Sequence, residues 1–125
     1  MKKINSQNII LDSFDVKNKI KRISLEVLED NIGHNKLVFV GVSKNGKIIA
    51  KKIIDFINKN SKIESELVGV EISSNSKEDL EFDKEFNAND LSLIIVSDVS
   101  QSARTLQIII SNLMLKNPFK IKTAV

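Results

Sequence analysis

Three short, nearly unbroken apolar runs, residues 37–42 (LVFVGV), 67–72 (LVGVEI) and 93–96 (LIIV), set the tightest limit on what this chain can fold into. Runs of this length, rich in β-branched residues, belong to strands covered on both faces, the environment found inside a parallel sheet. Between them the apolar period changes to that of a helix. Ile48, Ile49, Ile53, Ile54, Phe56 and Ile57 form one stripe, with Lys47, Lys51, Lys52 and Asp55 on the opposite face. Strand, helix and strand in succession predict an α/β fold, a mostly parallel sheet flanked by helices and joined by right-handed crossovers.

The remaining segments extend that pattern. Residues 8–11 (NIIL) read as a first strand, with Asp12 or Ser13 to cap the next helix, whose buried stripe is Ile20, Ile23, Val27 and Leu28, with Ile32 beyond. Gly33 and Asn35 suit its exit and leave His34 as an exposed loop residue. Residues 43–46 (SKNG) break the pattern as a loop. Residues 73–90 are a polar, acidic connection, long for a compact domain, in which Phe82 and Phe86 are expected to anchor a short turn of helix. Its carboxylates, Glu78, Asp79, Glu81, Asp83 and Glu85, lack the glycine and the spacing of a calcium-binding loop. Phe119, Ile121, Thr123 and Val125 alternate with polar or small residues as a half-buried last strand. The sequence stops inside that strand, from which a C-terminally shortened domain is expected.

A length of 125 residues suits a single domain spanning 1–125. With no cysteine and one histidine, disulfides, thiolate metal sites and cysteine nucleophiles are excluded, and zinc chemistry is disfavoured. No apolar run approaches the ~20 residues that span a bilayer, and the Lys-rich start lacks the apolar core of a secretory signal, so a cytoplasmic protein without membrane contact is expected. Charge is unevenly spread: residues 1–62 carry 13 basic against 6 acidic side chains, residues 63–92 carry 2 against 9. Lys51 and Lys52, or Lys17, Lys19, Lys21 and Arg22, are candidates for a polyanion-binding face such as one for RNA, although no aromatic side chains lie among them for base stacking.

The chemistry concentrates in residues 93–106, LIIVSDVSQSARTL. A strand that ends beside Asp98, passes through Ser100, Gln101 and Ser102 and opens a helix at Ala103, Arg104 and Thr105 sets backbone N–H donors next to a carboxylate, which suits a phosphorylated ligand. A dinucleotide fold would need a glycine-rich turn after the first strand, and Leu11, Asp12, Ser13 offers none. A phosphoacceptor domain would need its acceptor earlier in the chain than Asp98.

The segment IIVSDVSQSARTL resembles the phosphoribosyl-pyrophosphate motif of the type I phosphoribosyltransferases: four apolar residues, two acids, an apolar residue, two variable positions, Ser/Thr-Gly, a variable position and Thr. NIILDSFDVKNKIKRISLEVLEDN resembles the opening of the pyrimidine operon regulator/uracil phosphoribosyltransferase group, LVFVGVSKNGKIIAKKI its second strand, pyrophosphate loop and helix, and KIKTAV its strand after the ligand helix. Together these span residues 9–125 in register.

The resemblance implies transfer of ribose 5-phosphate from phosphoribosyl pyrophosphate, held with Mg²⁺, to a pyrimidine-type nucleobase, by a homo-oligomer, most simply a dimer. It assigns Asp98, the second of the motif's two acids, to the ribose hydroxyls as the catalytic residue and a possible contact to the donor's Mg²⁺. Ser100, Gln101, Ser102, Ala103, Arg104 and Thr105 are assigned to the 5-phosphate, and Ser43, Lys44, Asn45 and Gly46 to pyrophosphate. A loop such as 73–90 would close over the site. Four positions depart from the pattern. Ser97 replaces the first acid, a loss of about 1–2 kcal/mol in a charge-assisted contact. Ala103 replaces the glycine, Asn45 a basic residue, and Gln101 a carboxylate of the purine enzymes. Two classes follow: an active phosphoribosyltransferase, or a non-catalytic relative that binds nucleotide or phosphate or regulates through RNA or protein.

Overall fold

The computed structural model describes residues 13–72, 80–97 and 103–124, with the side chains of 13–16 and 72 excepted. The strand expected at 8–11 and the terminal Val125 lie outside these residues. The element order is α1 (Ser13–Asp30), β1 (Lys36–Val42), α2 (Ser43–Asn60), β2 (Glu64–Ile72), β3 (Leu80–Phe82), β4 (Ser92–Val96), α3 (Ala103–Met114) and β5 (Lys120–Ala124).

The five strands form one sheet in the order β3-β2-β1-β4-β5. All pairs are parallel except β2 with β3, which is antiparallel. β1 takes the centre, where both faces must be apolar: Leu37 to Phe39 and Val40 are fully buried, and Leu93 to Val96 of the neighbouring β4 are buried with them. Helix α3, with residues 80–91, covers the face made by Val38, Val40, Val68, Val70, Leu93 and Ile95. Helices α1 and α2 cover the other, made by Leu37, Phe39, Ile94 and Val96. Each fully buried Leu, Ile or Phe contributes about 1.5–3 kcal/mol from water exclusion, so the two-sided strands anchor the sandwich.

Several local expectations change. Ile32 is 81% exposed and outside the α1 stripe, because the helix ends at Asp30 before that position can return to the buried face. Phe82 and Phe86 do meet, with ring centroids 5.5 Å apart, but no helix joins them. Phe82 belongs to β3, where Val70 is its partner, and the backbone hydrogen bonds of β2 decide the conformation. Phe119 is 60% exposed, and β5 buries no residue fully, as expected of an edge strand carrying Lys120 and Lys122. His34 is half-buried, its ring 5.1 Å from that of Phe119. No helix among the described residues is long and apolar enough to cross a membrane.

Candidate functional site

The strand order identifies the place to look. From β1 the chain crosses through α2 on one face to β2, whereas β4, on the other side of β1, leads into α3 on the opposite face. The carboxyl ends of β1 and β4 are therefore where connections diverge, and open α/β sheets bind ligands in the crevice at such a point. Gly41 pairs with Val96, which sets the two strand ends side by side.

Residues 43–46 are not a loop. Helix α2 begins at Ser43 directly after β1, and Ser43 itself holds φ 62°, a left-handed conformation that costs a non-glycine residue about 1–2 kcal/mol. That strained residue makes the sharp turn from strand to helix, which removes the need for a connecting loop. Gly46 is buried against β4, since a Cβ there would stand 2.5 Å from the Val96 carbonyl oxygen. Lys44 and Asn45 are exposed. Val42, at the N-cap of α2, supplies no side-chain hydrogen bond, and the first turn carries no acid. The start of α2 thus presents backbone N–H groups and the positive end of the helix dipole beside two lysines, Lys44 and Lys47.

Of the second group, Asp98, Ser100, Gln101 and Ser102 lie outside the described residues. Ala103 and Arg104 are exposed and Thr105 half-buried in the first turn of α3, again without an acid. Ser97, at the end of β4, is 2% exposed. Its N–H donates to the Ala124 carbonyl at 3.2 Å, while its hydroxyl has no partner among the described residues. The close packing of Gly46 on Val96 sets the start of α2 against the carboxyl end of β4.

Two residues that the sequence placed only on a polar helix face and in the acidic connection border this region. Lys47 Nζ lies 2.9 Å from Asp83 Oδ2, and the Asp83 Oδ1 accepts the Gly69 N–H at 3.0 Å. The Lys47 hydrogen bond, then the one from Gly69, hold the Asp83 carboxyl below its ordinary range. Glycines inside the β1 and β2 runs were the available signal, because a strand glycine marks a close approach of other atoms. Among the described residues no group of three or more His, Asp or Glu is arranged to hold a metal ion.

The sequence profile of the phosphoribosyl transferase domain matches residues 6–125. A bifunctional protein PyrR from Staphylococcus epidermidis is 31% identical over 132 residues, covering 95% of this chain and 74% of the relative. A bifunctional protein PyrR from Clostridium beijerinckii is 30% identical, covering 95% and 72%. Among solved structures, a hypoxanthine-guanine phosphoribosyltransferase from Bacillus anthracis superposes with a TM-score of 0.75 at 20% identity, over 92% of this chain and 67% of that one. A hypoxanthine phosphoribosyltransferase from Staphylococcus aureus gives 0.75, again at 20% identity, over 92% and 64%. The structural likeness supports the fold, and the profile and sequence matches support the kinship.

Proposed function

This chain belongs to the phosphoribosyl transferase domain family, and from that premise we propose that it binds phosphoribosyl pyrophosphate with Mg²⁺ and passes the ribose 5-phosphate group to a pyrimidine-type nucleobase. The observation that carries the reading is the contact of Gly46 with the Val96 carbonyl, which sets the helix start after β1 against the carboxyl end of β4 at the switch point of the sheet.

In this scheme the N–H groups at the start of α2, with Ser43 and Lys44, receive pyrophosphate, and their fixed dipoles stabilise the charge that develops as it departs. Ser100 to Thr105 receive the 5-phosphate through backbone donors, the Ser102 and Thr105 hydroxyls and the dipole of α3. Asp98 holds the ribose hydroxyls. In this scheme Mg²⁺ comes with the donor, and Asp98 is the residue of this chain that would contact it. Bound there, the ion would neutralise phosphate charge.

The test is calorimetric titration of the chain with phosphoribosyl pyrophosphate and Mg²⁺. Micromolar binding that is lost in Asp98→Asn supports the reading; no detectable heat at millimolar donor overturns it. A second reading, a regulator that binds RNA, is favoured by the exposure of Lys51 and Lys52 on α2 and of Lys17, Lys19, Lys21 and Arg22 on α1, two helices that pack together on one face of the sheet. Retardation of a pyrimidine-leader transcript at low salt, abolished by charge reversal at Lys51 and Lys52, distinguishes it from donor binding alone.

A further inference from the structure

Gly41 and Gly69 are lateral partners on β1 and β2, and they open a trough in the face of the sheet that α2 covers. A Cβ on Gly41 would stand 2.7 Å from Lys47 Cα, and one on Gly69 would stand 2.5 Å from Lys47 Cδ. The backbone of Lys47 therefore lies over the first glycine and its side chain over the second. The trough aims the ammonium across β2 towards the chain that follows β3.

Asp83 meets it there. Besides the ion pair of 2.9 Å and the bond from Gly69 N–H, the Asp83 N–H donates to the Gly69 carbonyl at 2.9 Å. Residue 83 is thus fastened to β2 through its backbone and to α2 through its side chain. Lys47 also lines a cleft of about 620 Å³ with Ser43, Lys44 and Lys51 on one wall and Glu71, Glu81 and Asp83 on the other. One wall is suited to an anion, and a carboxylate from the opposite wall already engages its middle lysine.

We propose that Asp83 is an internal competitor for Lys47, so that an anion bound at the start of α2 takes this lysine and releases the segment that follows β3 from the helix. The anion is of the pyrophosphate class, and here the inference rests on the reading of Ser43 to Gly46 given above. The two side chains are 44% and 42% exposed. An ion pair so open to water is weak, which lets a multiply charged ligand displace it. The same weakness limits the gain from deleting the competitor to about fivefold in affinity.

Asp83→Asn removes the charge but keeps the shape and an acceptor for the Gly69 N–H. Titration of the full chain with inorganic pyrophosphate at low salt should show this variant binding about two- to fivefold tighter than the wild type. Lys47→Gln should bind more weakly, and Asp83→Asn should add nothing in that background. Hydrogen exchange supplies a second readout: pyrophosphate should speed exchange of the Gly69 amide in the wild type. Wild-type binding that Asp83→Asn leaves unchanged or weakens overturns the competition while sparing the pyrophosphate site. Absence of binding by both proteins at millimolar pyrophosphate overturns the assignment of Ser43 to Gly46, and the competition with it.

Discussion

Gly46 of α2 touches the Val96 carbonyl of β4 so closely that a Cβ would stand 2.5 Å from the oxygen. Helix propensity alone favours Gly46→Ala by about 1 kcal/mol. The obstacle is backbone, which cannot swing aside, so overpacking wins and the substitution should destabilise the fold by about 1–3 kcal/mol. A lower urea midpoint with an unchanged slope is the expected result.

Gly69→Ala meets different neighbours. Its Cβ would lie 2.5 Å from Lys47 Cδ and 2.7 Å from Asp83 Oδ2, both on flexible side chains. The side chains can move, at the expense of their ion pair. Global stability should fall by under about 1 kcal/mol, while amide exchange around Asp83 quickens. A loss as large as that of Gly46→Ala would count against this account.

Acidification should weaken the fold. Burial raises the Glu66 pKa, but hydrogen bonds from Lys84 and Lys36, at 3.1 and 3.2 Å, outweigh it and leave the carboxyl below its ordinary 4.5. Asp83 and Asp30 are likewise held below 3.8, Asp83 first by Lys47 and Asp30 first by its hydrogen bond from Lys122. A depressed carboxylate stabilises fully above its unfolded value, because below that value the unfolded chain takes up protons first. Stability should therefore hold above about pH 5.5 and decline through the Glu and then the Asp range. Urea midpoints between pH 6 and 3 check this, and Glu66→Gln should flatten the upper part of the decline.

Ser97 buries a hydroxyl that has no partner among the described residues. Ser97→Ala removes that unpaired group and should be neutral or stabilising by up to about 1 kcal/mol in thermal or urea unfolding. Ser97→Asp combined with Ala103→Gly restores the acid and the glycine of the phosphoribosyl-pyrophosphate pattern. It should tighten donor binding by about tenfold in calorimetry while costing about 1–3 kcal/mol of stability, since the new carboxylate enters a position that is 2% exposed. Unchanged donor affinity would count against aligning these residues with the motif.

The layout was legible wherever local pattern and burial agree. Residues 37–42 and 93–96 read as two-sided strands because every side chain in them is apolar or glycine, and the stripe of Ile53, Ile54 and Ile57 read as a helix face because its period admits one buried side. The two groups of candidate ligand residues were readable from order and type, Ser43 to Gly46 after one strand and Ala103 to Thr105 opening a helix after another. Phe82 was misread because spacing of four suggests a helix, whereas its conformation depends on a strand partner elsewhere in the chain.

By itself the sequence determined the class of fold and its buried strands, since apolar periodicity is a local property that solvent exclusion converts directly into layers. Tertiary structure alone decided that Ser43 to Gly46 open a helix, that Gly46 rests on Val96, and that Lys47 reaches Asp83 across two glycines. Each of those depends on atoms brought together by the sheet from distant parts of the chain, and a glycine or a lysine read in isolation does not reveal what will lie over it.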